Sequence, residues 1–387
     1  MSINKKPLES VEESDLQNLL ENQVPESKII DYKEMLPGKS DSDKKEFLFD
    51  VSSFANAAGG HLVYGIKEEE GFPVEICGLH NINPDEEIRR MESIIQDGID
   101  PRIPGISIRS IQLKYANCAI VIHIPKSWAS PHMVTFKGSS KFYSRNSAGK
   151  YPLDVSEIRS AFLLSETTAE RIRNFRSERL SKIVAGETPT PLNESPKSIL
   201  HIIPFGAFEP GAKFDVSILE EEKYNNRYLI PNSLYNSHRY RRYNFDGLLT
   251  YEVKQNSYAQ VFRNGAIEIV DTLKLNALNS FKIMDYESSL LESLREYTFI
   301  QKRLGIEPPI FIMVSLLGVD GVGIFVSDYY ANEGAPIDRN ALLVPEILID
   351  NFEYEADRMM KPAFDAIWNA AGWKRSWCYN EDGKRVV

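Results

Sequence analysis

Cysteine is scarce in this 387-residue sequence, and its three cysteines, Cys77, Cys118 and Cys378, lie far apart. No two of them form a CxxC pair, which excludes a disulfide framework and the ligand spacing of a zinc site. Isolated cysteines of this kind are typical of apolar thiols in a reducing compartment. We therefore expect a cytoplasmic protein.

Long apolar runs and an excess of positive charge are also absent. The opening residues, MSINKKPLESVEESDL, lack the apolar centre of a signal peptide, and no later run approaches the roughly 20 residues that span a membrane. With 45 basic residues against 55 acidic ones, the formal net charge is -10. That total argues against binding a polyanion through overall charge, although a local basic face would still attract a phosphate backbone.

Several catalytic and nucleotide-binding motifs are missing. The sequence contains no G-x-x-x-x-G-K-[ST] loop, G-x-S-x-G elbow, H-E-x-x-H helix, kinase signature, or G-x-G-x-x-G turn after a strand. The six histidines are scattered. His123 lies in an apolar run and is expected in the core, whereas His132 follows Pro131 in a loop that can border a cleft.

Composition favours a folded α/β protein with mixed sheets and two domains. The hydrophobic content of 42% and the charged content of 26% are those of ordinary globular chains. The segment GETPTPLNESPK is rich in proline and poor in apolar residues, so it is the best linker candidate. We predict a polar segment over residues 1–20, a first domain over 21–165, a basic helix and linker over 166–197, and a second α/β domain over 198–387.

Apolar periodicity places the main elements. In the first domain, LVYGI, CAIVIHIP and KFYSRN predict strands, and FDVSSFANAA predicts a helix that a Gly-Gly pair ends. The run DEEIRRMESIIQDGI predicts a helix capped by Asn83 or Asp85. In the second domain the Asn-Gly dipeptide at 264–265 predicts a tight hairpin, and IFIMVSLLGV with GVGIFVS predicts a strand pair.

A carboxylate cluster precedes the first of these strands. Glu26, Asp31, Lys33 and Glu34 lie within nine residues, and if IIDYK is a strand, Asp31 and Lys33 share one of its faces. Carboxylates held beside a lysine suit a hard divalent cation or a phosphodiester. A solvated, charged strand edge would have the same composition, and the spacing alone does not decide between the two.

Several short motifs together resemble the Schlafen-type AlbA domain, over about residues 22–165. In chain order they are Glu26-Ser27, Asp31-Tyr32-Lys33, Phe54-Ala55-Asn56, Gly59-Gly60, Gly65-Ile66 with Glu68, and Phe142-Tyr143-Ser144-Arg145. The chain departs from the family at Asp31, where the family usually has Glu. The resemblance implies a fold with this domain at the N-terminus and a separate α/β domain after the linker.

The resemblance also implies nucleic-acid binding and, as in some prokaryotic members, cleavage of structured RNA. In that metal-dependent endoribonuclease, Glu26, Asp31 and Glu68 would hold Mg²⁺ or Mn²⁺, and Lys33 would neutralise the scissile phosphate. Arg145 would position the backbone. Two alternatives remain open: a non-enzymatic DNA-binding regulator or interaction module, and a divergent ATP-binding protein.

Basic residues interleaved with aromatic ones surround Arg145. Lys137, Lys141, Tyr143 and Lys150 accompany it, a composition that suits phosphate contacts and base stacking. An exposed strand edge with lysines would look the same. We take these five residues as the candidate nucleic-acid contacts. Asn56, polar in an apolar helix end, either bonds the adjoining backbone or lines a ligand cleft.

Two further basic segments lie outside the resemblance. The run from Arg171 to Lys182 predicts a solvated linking helix, with a nucleic-acid face as the alternative. The segment HRYRRYNFDG, residues 238–247, alternates arginine and tyrosine and suits stacking on single-stranded nucleic acid or an oligomer contact. For the second domain we expect a role in homo-oligomerisation or partner recognition.

Overall fold

The computed structural model describes residues 8–114, 117–127, 129–208, 211–220, 239–252, 257–327, 334–352 and 354–386. The chain divides into two compact units, Met1–Thr167 and Thr168–Val387. Within the described ranges, none of the helices combines the length and the apolar character needed to cross a membrane.

The first unit contains ten short strands and three α-helices, followed by the start of a fourth helix that continues into the second unit. The helices are α1 (Glu13–Glu21), α2 (Asp41–Ala55) and α3 (Pro84–Gly98). The strands are β1 (Ile30–Lys33), β2 (Gly60–Tyr64), β3 (Lys67–Glu69), β4 (Phe72–Glu75), β5 (Ile99–Asp100), β6 (Ser107–Gln112), β7 (Cys118–Ile124), β8 (Met133–Val134), β9 (Lys141–Asn146) and β10 (Gly149–Pro152).

The central sheet of the first unit has the strand order β1–β2–β7–β6. Strand β1 runs parallel to β2, and the other two pairings are antiparallel. Helix α1 covers one face of this sheet, and α2 with α3 covers the other. Because β2 and β7 are buried on both faces, their sequences are continuous apolar runs rather than alternating ones.

A second, antiparallel sheet has the order β10–β9–β8–β5. Helix α2 packs against this sheet and also against β2 and β7. It begins after Ser40, whose hydroxyl accepts a hydrogen bond from the Asp43 amide. The predicted cap of α3 is confirmed, since the Asn83 side chain accepts a hydrogen bond from the Asp85 amide.

The second unit begins at Thr168, within α4 (Val155–Val184), a single helix that includes the run from Arg171 to Lys182 predicted as helical. Its other helices are α5 (Ile283–Arg303) and α6 (Ala356–Ala370). Its strands are β11 (Lys197–Pro204), β12 (Arg239–Tyr243), β13 (Gly247–Glu252), β14 (Ser257–Phe262), β15 (Ile267–Thr272), β16 (Ser280–Lys282), β17 (Ile310–Leu317), β18 (Gly323–Phe325), β19 (Ala341–Leu343) and β20 (Ile347–Ile349).

An antiparallel sheet forms the body of the second unit, in the order β12–β13–β14–β15–β11–β17–β19, with β20 also paired to β17. One face packs on α5 and α6, and the other packs on the C-terminal part of α4. The predicted hairpin at 264–265 is confirmed, because Gly265 has a φ of +85° in the turn between β14 and β15.

The predicted pairing of the two apolar runs near residue 320 is wrong. Strand β17 pairs with β11, β19 and β20, whereas β18 pairs with β16. Strand β17 is buried at every position because it is central in the sheet. An apolar run of that kind shows that a strand is buried but does not show its partner.

The arginines of α4 correct a second prediction, that of a solvated basic helix. Arg179 donates two hydrogen bonds to the buried carboxylate of Glu268, at 2.9 and 2.7 Å. Arg176 donates to the carbonyl oxygens of Val314 and Val344. These side chains therefore fasten α4 to the sheet of the second unit.

Candidate nucleic-acid interface

The predicted carboxylate cluster begins on β1, where strand alternation puts Asp31 and Lys33 on one face. The Lys33 ammonium lies 2.5 Å from Asp31 Oδ1. Asp31 is only 6% exposed, whereas the Lys33 side chain is 37% exposed. The carboxylate is therefore inside the domain, and the ammonium extends from it to the surface.

Arg145 approaches the same carboxylate from β9. Its Nη2 donates to Asp31 Oδ2 at 2.9 Å, and its guanidinium carbon lies 3.7 Å from the centroid of the Phe54 ring. Burial raises the pKa of Asp31, but the charges of Lys33 and Arg145 outweigh it and hold that pKa below its ordinary value. The predicted backbone-positioning residue is itself buried, and its guanidinium is engaged within the domain.

A second buried carboxylate lies beside the first and was missed by the sequence analysis. Asp50 on α2 is 4% exposed and contacts Lys150 Nζ at 2.6 Å. The same ammonium lies 2.5 Å from Glu46 Oε1, so Lys150, a predicted nucleic-acid contact, is held by two acids. Burial and the charge of Asp31 raise the pKa of Asp50 despite Lys150. An aspartate between Phe47 and Phe54 on the apolar stripe of a helix was the available signal.

Glu26 lies beside Asp31 at the entrance to β1. Its Oε1 accepts a hydrogen bond from the Tyr32 amide at 2.8 Å. Burial, followed by the charge of Asp31, raises the pKa of Glu26 to about 7. A carboxyl group with that pKa can take up or release a proton at neutral pH.

Glu68, the predicted third acid, hydrogen-bonds to the turn that follows it. Its carboxylate accepts a hydrogen bond from the Gly71 amide at 2.7 Å, in the turn between β3 and β4. The Gly71 carbonyl in turn accepts from the Glu26 amide, so this turn borders the cluster. Both oxygens of Asp31 already contact cations. In the part of the chain that the structure describes, no three His, Cys, Asp or Glu side chains form a metal-binding group, so the set Glu26, Asp31 and Glu68 does not fit a divalent cation as placed.

Asn56 joins α2 to the second sheet by backbone hydrogen bonds. Its Nδ2 donates to the carbonyl oxygens of His132 and Tyr143, and its Oδ1 accepts from the His132 amide. His132 is fully buried, and its Nδ1 lies 2.6 Å from the Pro101 carbonyl oxygen. Burial lowers the pKa of His132 to about 4, so its imidazole is neutral at physiological pH. Of the two roles considered for Asn56, the structure shows the backbone-bonding one.

A comparison with protein families matches part of the first unit. Residues 26–154 match the family model described as Schlafen, AlbA_2. The match confirms the resemblance for this third of the chain and associates it with a nucleic-acid-related function. We refer to residues 26–154 as the Schlafen-type domain.

Comparisons with individual proteins add little. No curated protein matches the chain. Among solved structures, the chain is similar to the DIP2311 protein from Corynebacterium diphtheriae, at 15% identity and a TM-score of 0.26, over 38% of this chain and 27% of that one. A likeness at that level bears on neither the fold nor the function of this protein.

Four lysines form a basic surface of the Schlafen-type domain, two of them exposed and two half-buried. Lys137 and Lys141 are exposed, as predicted for nucleic-acid contacts. The fold adds Lys44, whose ammonium lies 6.0 Å from the centroid of the Phe136 ring, and Lys45, which donates to the Lys137 carbonyl oxygen. We call Lys44, Lys45, Lys137 and Lys141 the α2–β9 basic surface.

Tyr143 lies half-buried near this surface rather than on it. Its ring stacks on Phe49 with centroids 4.2 Å apart. Of the five predicted contacts, two lysines are therefore exposed, Tyr143 is half-buried, and Arg145 and Lys150 are held in ion pairs.

Proposed function

We propose that the Schlafen-type domain binds nucleic acid by contacting backbone phosphates at the α2–β9 basic surface. The observation that carries the proposal is the contact between Lys45 of α2 and the segment of the exposed Lys137, 92 residues away, which brings lysines of both segments together. The net charge of the whole chain is -10. A local concentration of positive charge attracts a polyanion even when the total charge is negative. The nucleic-acid-related family match supports the same function.

Acidic residues close to these lysines reduce the positive electrostatic potential of the α2–β9 basic surface. The carboxylate of Asp41 lies 3.5 Å from the Lys137 ammonium, and Asp43 and Glu46 lie on the same helix. We therefore expect modest, salt-dependent binding. Four phosphate contacts would give a slope of log affinity against log salt of roughly -3 to -4.

The test is the affinity of the full chain for labelled tRNA, duplex DNA and single-stranded DNA over a series of salt concentrations. Lys137→Ala/Lys141→Ala should weaken binding and reduce the magnitude of the slope by about 2, because two phosphate contacts are lost. Lys28→Ala/Lys114→Ala removes two exposed lysines elsewhere in the same unit and is the matched control. Equal losses in both double variants, or no loss in the first, would contradict the proposal.

Cleavage of structured RNA is the second candidate function, and the electrostatic effect of Asp31 on the neighbouring Glu26 favours it. Glu26 can exchange a proton near neutral pH, and the partly exposed Lys33 can neutralise a phosphate. A requirement for Mg²⁺ or Mn²⁺ comes from the family resemblance alone, since the described carboxylates do not form a three-ligand set.

The cleavage test uses labelled tRNA with Mg²⁺, Mn²⁺ or EDTA. Wild type is compared with Glu26→Gln and Asp31→Asn, and Glu69→Gln, an exposed acid on β3, is the control. Cutting that is lost in the first two variants, with their folding intact, would assign the chemistry to the pair. Binding without cutting would favour a DNA- or RNA-binding regulatory module, and thermal stabilisation by ATP would favour a nucleotide-binding protein.

A further inference from the structure

At one end of the large sheet in the second unit, as far as the described strands go, lies a strand rich in arginine and tyrosine. Strand β12 has the sequence RYRRY and pairs with β13, with Tyr240 opposite Tyr251 and Arg242 opposite Leu249. In an antiparallel pair, directly opposed residues lie on the same face, and residues two apart on one strand share that face. Tyr240, Tyr251 and Arg242 are therefore neighbours on one side of the sheet.

The three side chains form a flat, partly exposed patch. The rings of Tyr240 and Tyr251 have centroids 5.9 Å apart and planes inclined by 29°. The Arg242 guanidinium carbon lies 5.7 Å from the Tyr251 centroid, and its Nη2 donates to the Pro189 carbonyl oxygen at 2.8 Å. That hydrogen bond fixes the guanidinium beside the ring. Tyr240 is 50% exposed, and Arg242 is also exposed.

One aromatic residue and one arginine continue the patch at the end of the strand. Phe245, in the turn between β12 and β13, is 95% exposed. The exposed Arg263 donates from Nε to the Phe245 carbonyl oxygen at 3.4 Å. This end of the described sheet thus presents the exposed rings of Tyr240 and Phe245 together with the exposed guanidinium groups of Arg242 and Arg263.

We propose that this patch, the β12 platform (Tyr240, Arg242, Phe245, Tyr251 and Arg263), binds single-stranded nucleic acid. Exposed rings on a sheet surface provide stacking partners for unpaired bases, and adjacent arginines provide phosphate contacts. The platform lies in the second unit, outside residues 26–154, and is independent of the α2–β9 basic surface.

Charge and shape favour a single strand over other occupants. A second copy of this chain would bring a net charge of -10 but no unpaired bases to fill the faces of the rings. In a duplex, the bases are already stacked on each other and present only their edges and the backbone. Single-stranded RNA and single-stranded DNA share the required chemistry, and the experiment separates them.

The test is fluorescence anisotropy of the full chain with 12-nucleotide RNA, the same DNA sequence, and the corresponding duplex. Tyr240→Ala should weaken single-strand binding on the order of 10-fold without changing its salt dependence, because it removes stacking and no charge. Arg242→Ala should reduce the magnitude of the salt slope by about 1. Tyr243→Ala is the matched control, since Tyr243 is 43% exposed on the same strand but lies on the opposite face.

The same variants are also measured in the Lys137→Ala/Lys141→Ala background. This comparison separates an error in the proposed α2–β9 contacts from an error in the proposed β12 platform. A loss in Tyr240→Ala that exceeds the loss in Tyr243→Ala in both backgrounds supports the platform. Equal effects of the two tyrosine variants would overturn it, as would duplex binding that falls as much as single-strand binding. A change in sedimentation of Tyr240→Ala without a change in binding would also overturn it and assign the patch to self-association.

Discussion

Replacing Glu26 by glutamine should stabilise the protein at pH 8 and leave its stability nearly unchanged at pH 4, below the ordinary pKa of the carboxyl group. The pKa of Glu26 is raised from 4.5 to about 7, first by burial and then by the charge of Asp31. Between these two values the folded state binds more protons than the unfolded state, so stability falls as the pH rises. Gln is isosteric with Glu and can still accept the hydrogen bond from the Tyr32 amide.

The magnitude follows from the size of the pKa change. One unit corresponds to about 1.4 kcal/mol, so a rise from 4.5 to about 7 represents at most about 3 kcal/mol of destabilisation by the ionised group. Because part of the Glu26 side chain meets solvent, screening reduces this to on the order of 2 kcal/mol.

Hydrogen exchange of amides in β2 and β7 measures the stability of the first unit without interference from the second. Comparing wild type with Glu26→Gln at each pH cancels the intrinsic dependence of exchange on pH. Slower exchange in the variant at pH 8, and nearly equal exchange at pH 4, is the expected result. A difference of the same size at both pH values, or faster exchange in the variant at pH 8, would refute the account of this carboxyl group.

Three further predictions concern buried charge and close packing. Arg145→Met should destabilise the first unit by about 3 kcal/mol, because it leaves the buried Asp31 carboxylate with Lys33 as its remaining cation. The surface control, Lys141→Met, should cost less than about 0.5 kcal/mol. Hydrogen exchange of β2 amides measures both variants, and equal costs would contradict the burial argument. Burial raises the pKa of Glu268, but hydrogen bonds from Arg179 and His201 outweigh it and lower the pKa to about 2, so this group should lose its stabilising contribution as the pH falls from 4.5 towards 2. Acid titration of tryptophan fluorescence in wild type and Glu268→Gln tests this, and parallel curves would contradict it. In thermal unfolding, Gly60→Ala should destabilise the first unit far more than Gly149→Ala. Both glycines have positive φ, but of the two only Gly60 would place a Cβ 2.3 Å from a backbone oxygen, that of Ile29. Similar shifts in melting temperature would contradict the predicted clash.

Local sequence patterns predicted what depends on neighbours in the chain. The shared face of Asp31 and Lys33 follows from strand alternation, and the α3 cap follows from the position of Asn83 before an apolar period. The order of motifs predicted the family of the first unit, which the match to residues 26–154 confirms.

Local sequence patterns did not predict the contacts between segments that lie far apart in the chain. Asp50 and Lys150 are 100 residues apart, and nothing local marks them as partners. Lys44 and Lys45 reach the Phe136–Gly138 turn only because α2 packs against the second sheet. Arginine in a strand is usually exposed, so the burial of Arg145 against Asp31 and Phe54 depends on tertiary packing rather than on its motif.

The most direct test of the central claim is hydrogen exchange of the full chain with and without bound tRNA. Binding at the α2–β9 basic surface predicts protection of the first turns of α2, around Lys44 and Lys45, and of residues 136–141. The same peptides should be unaffected in Lys137→Ala/Lys141→Ala. Protection confined to other parts of the chain, with these two segments unchanged in the wild type, would contradict the account.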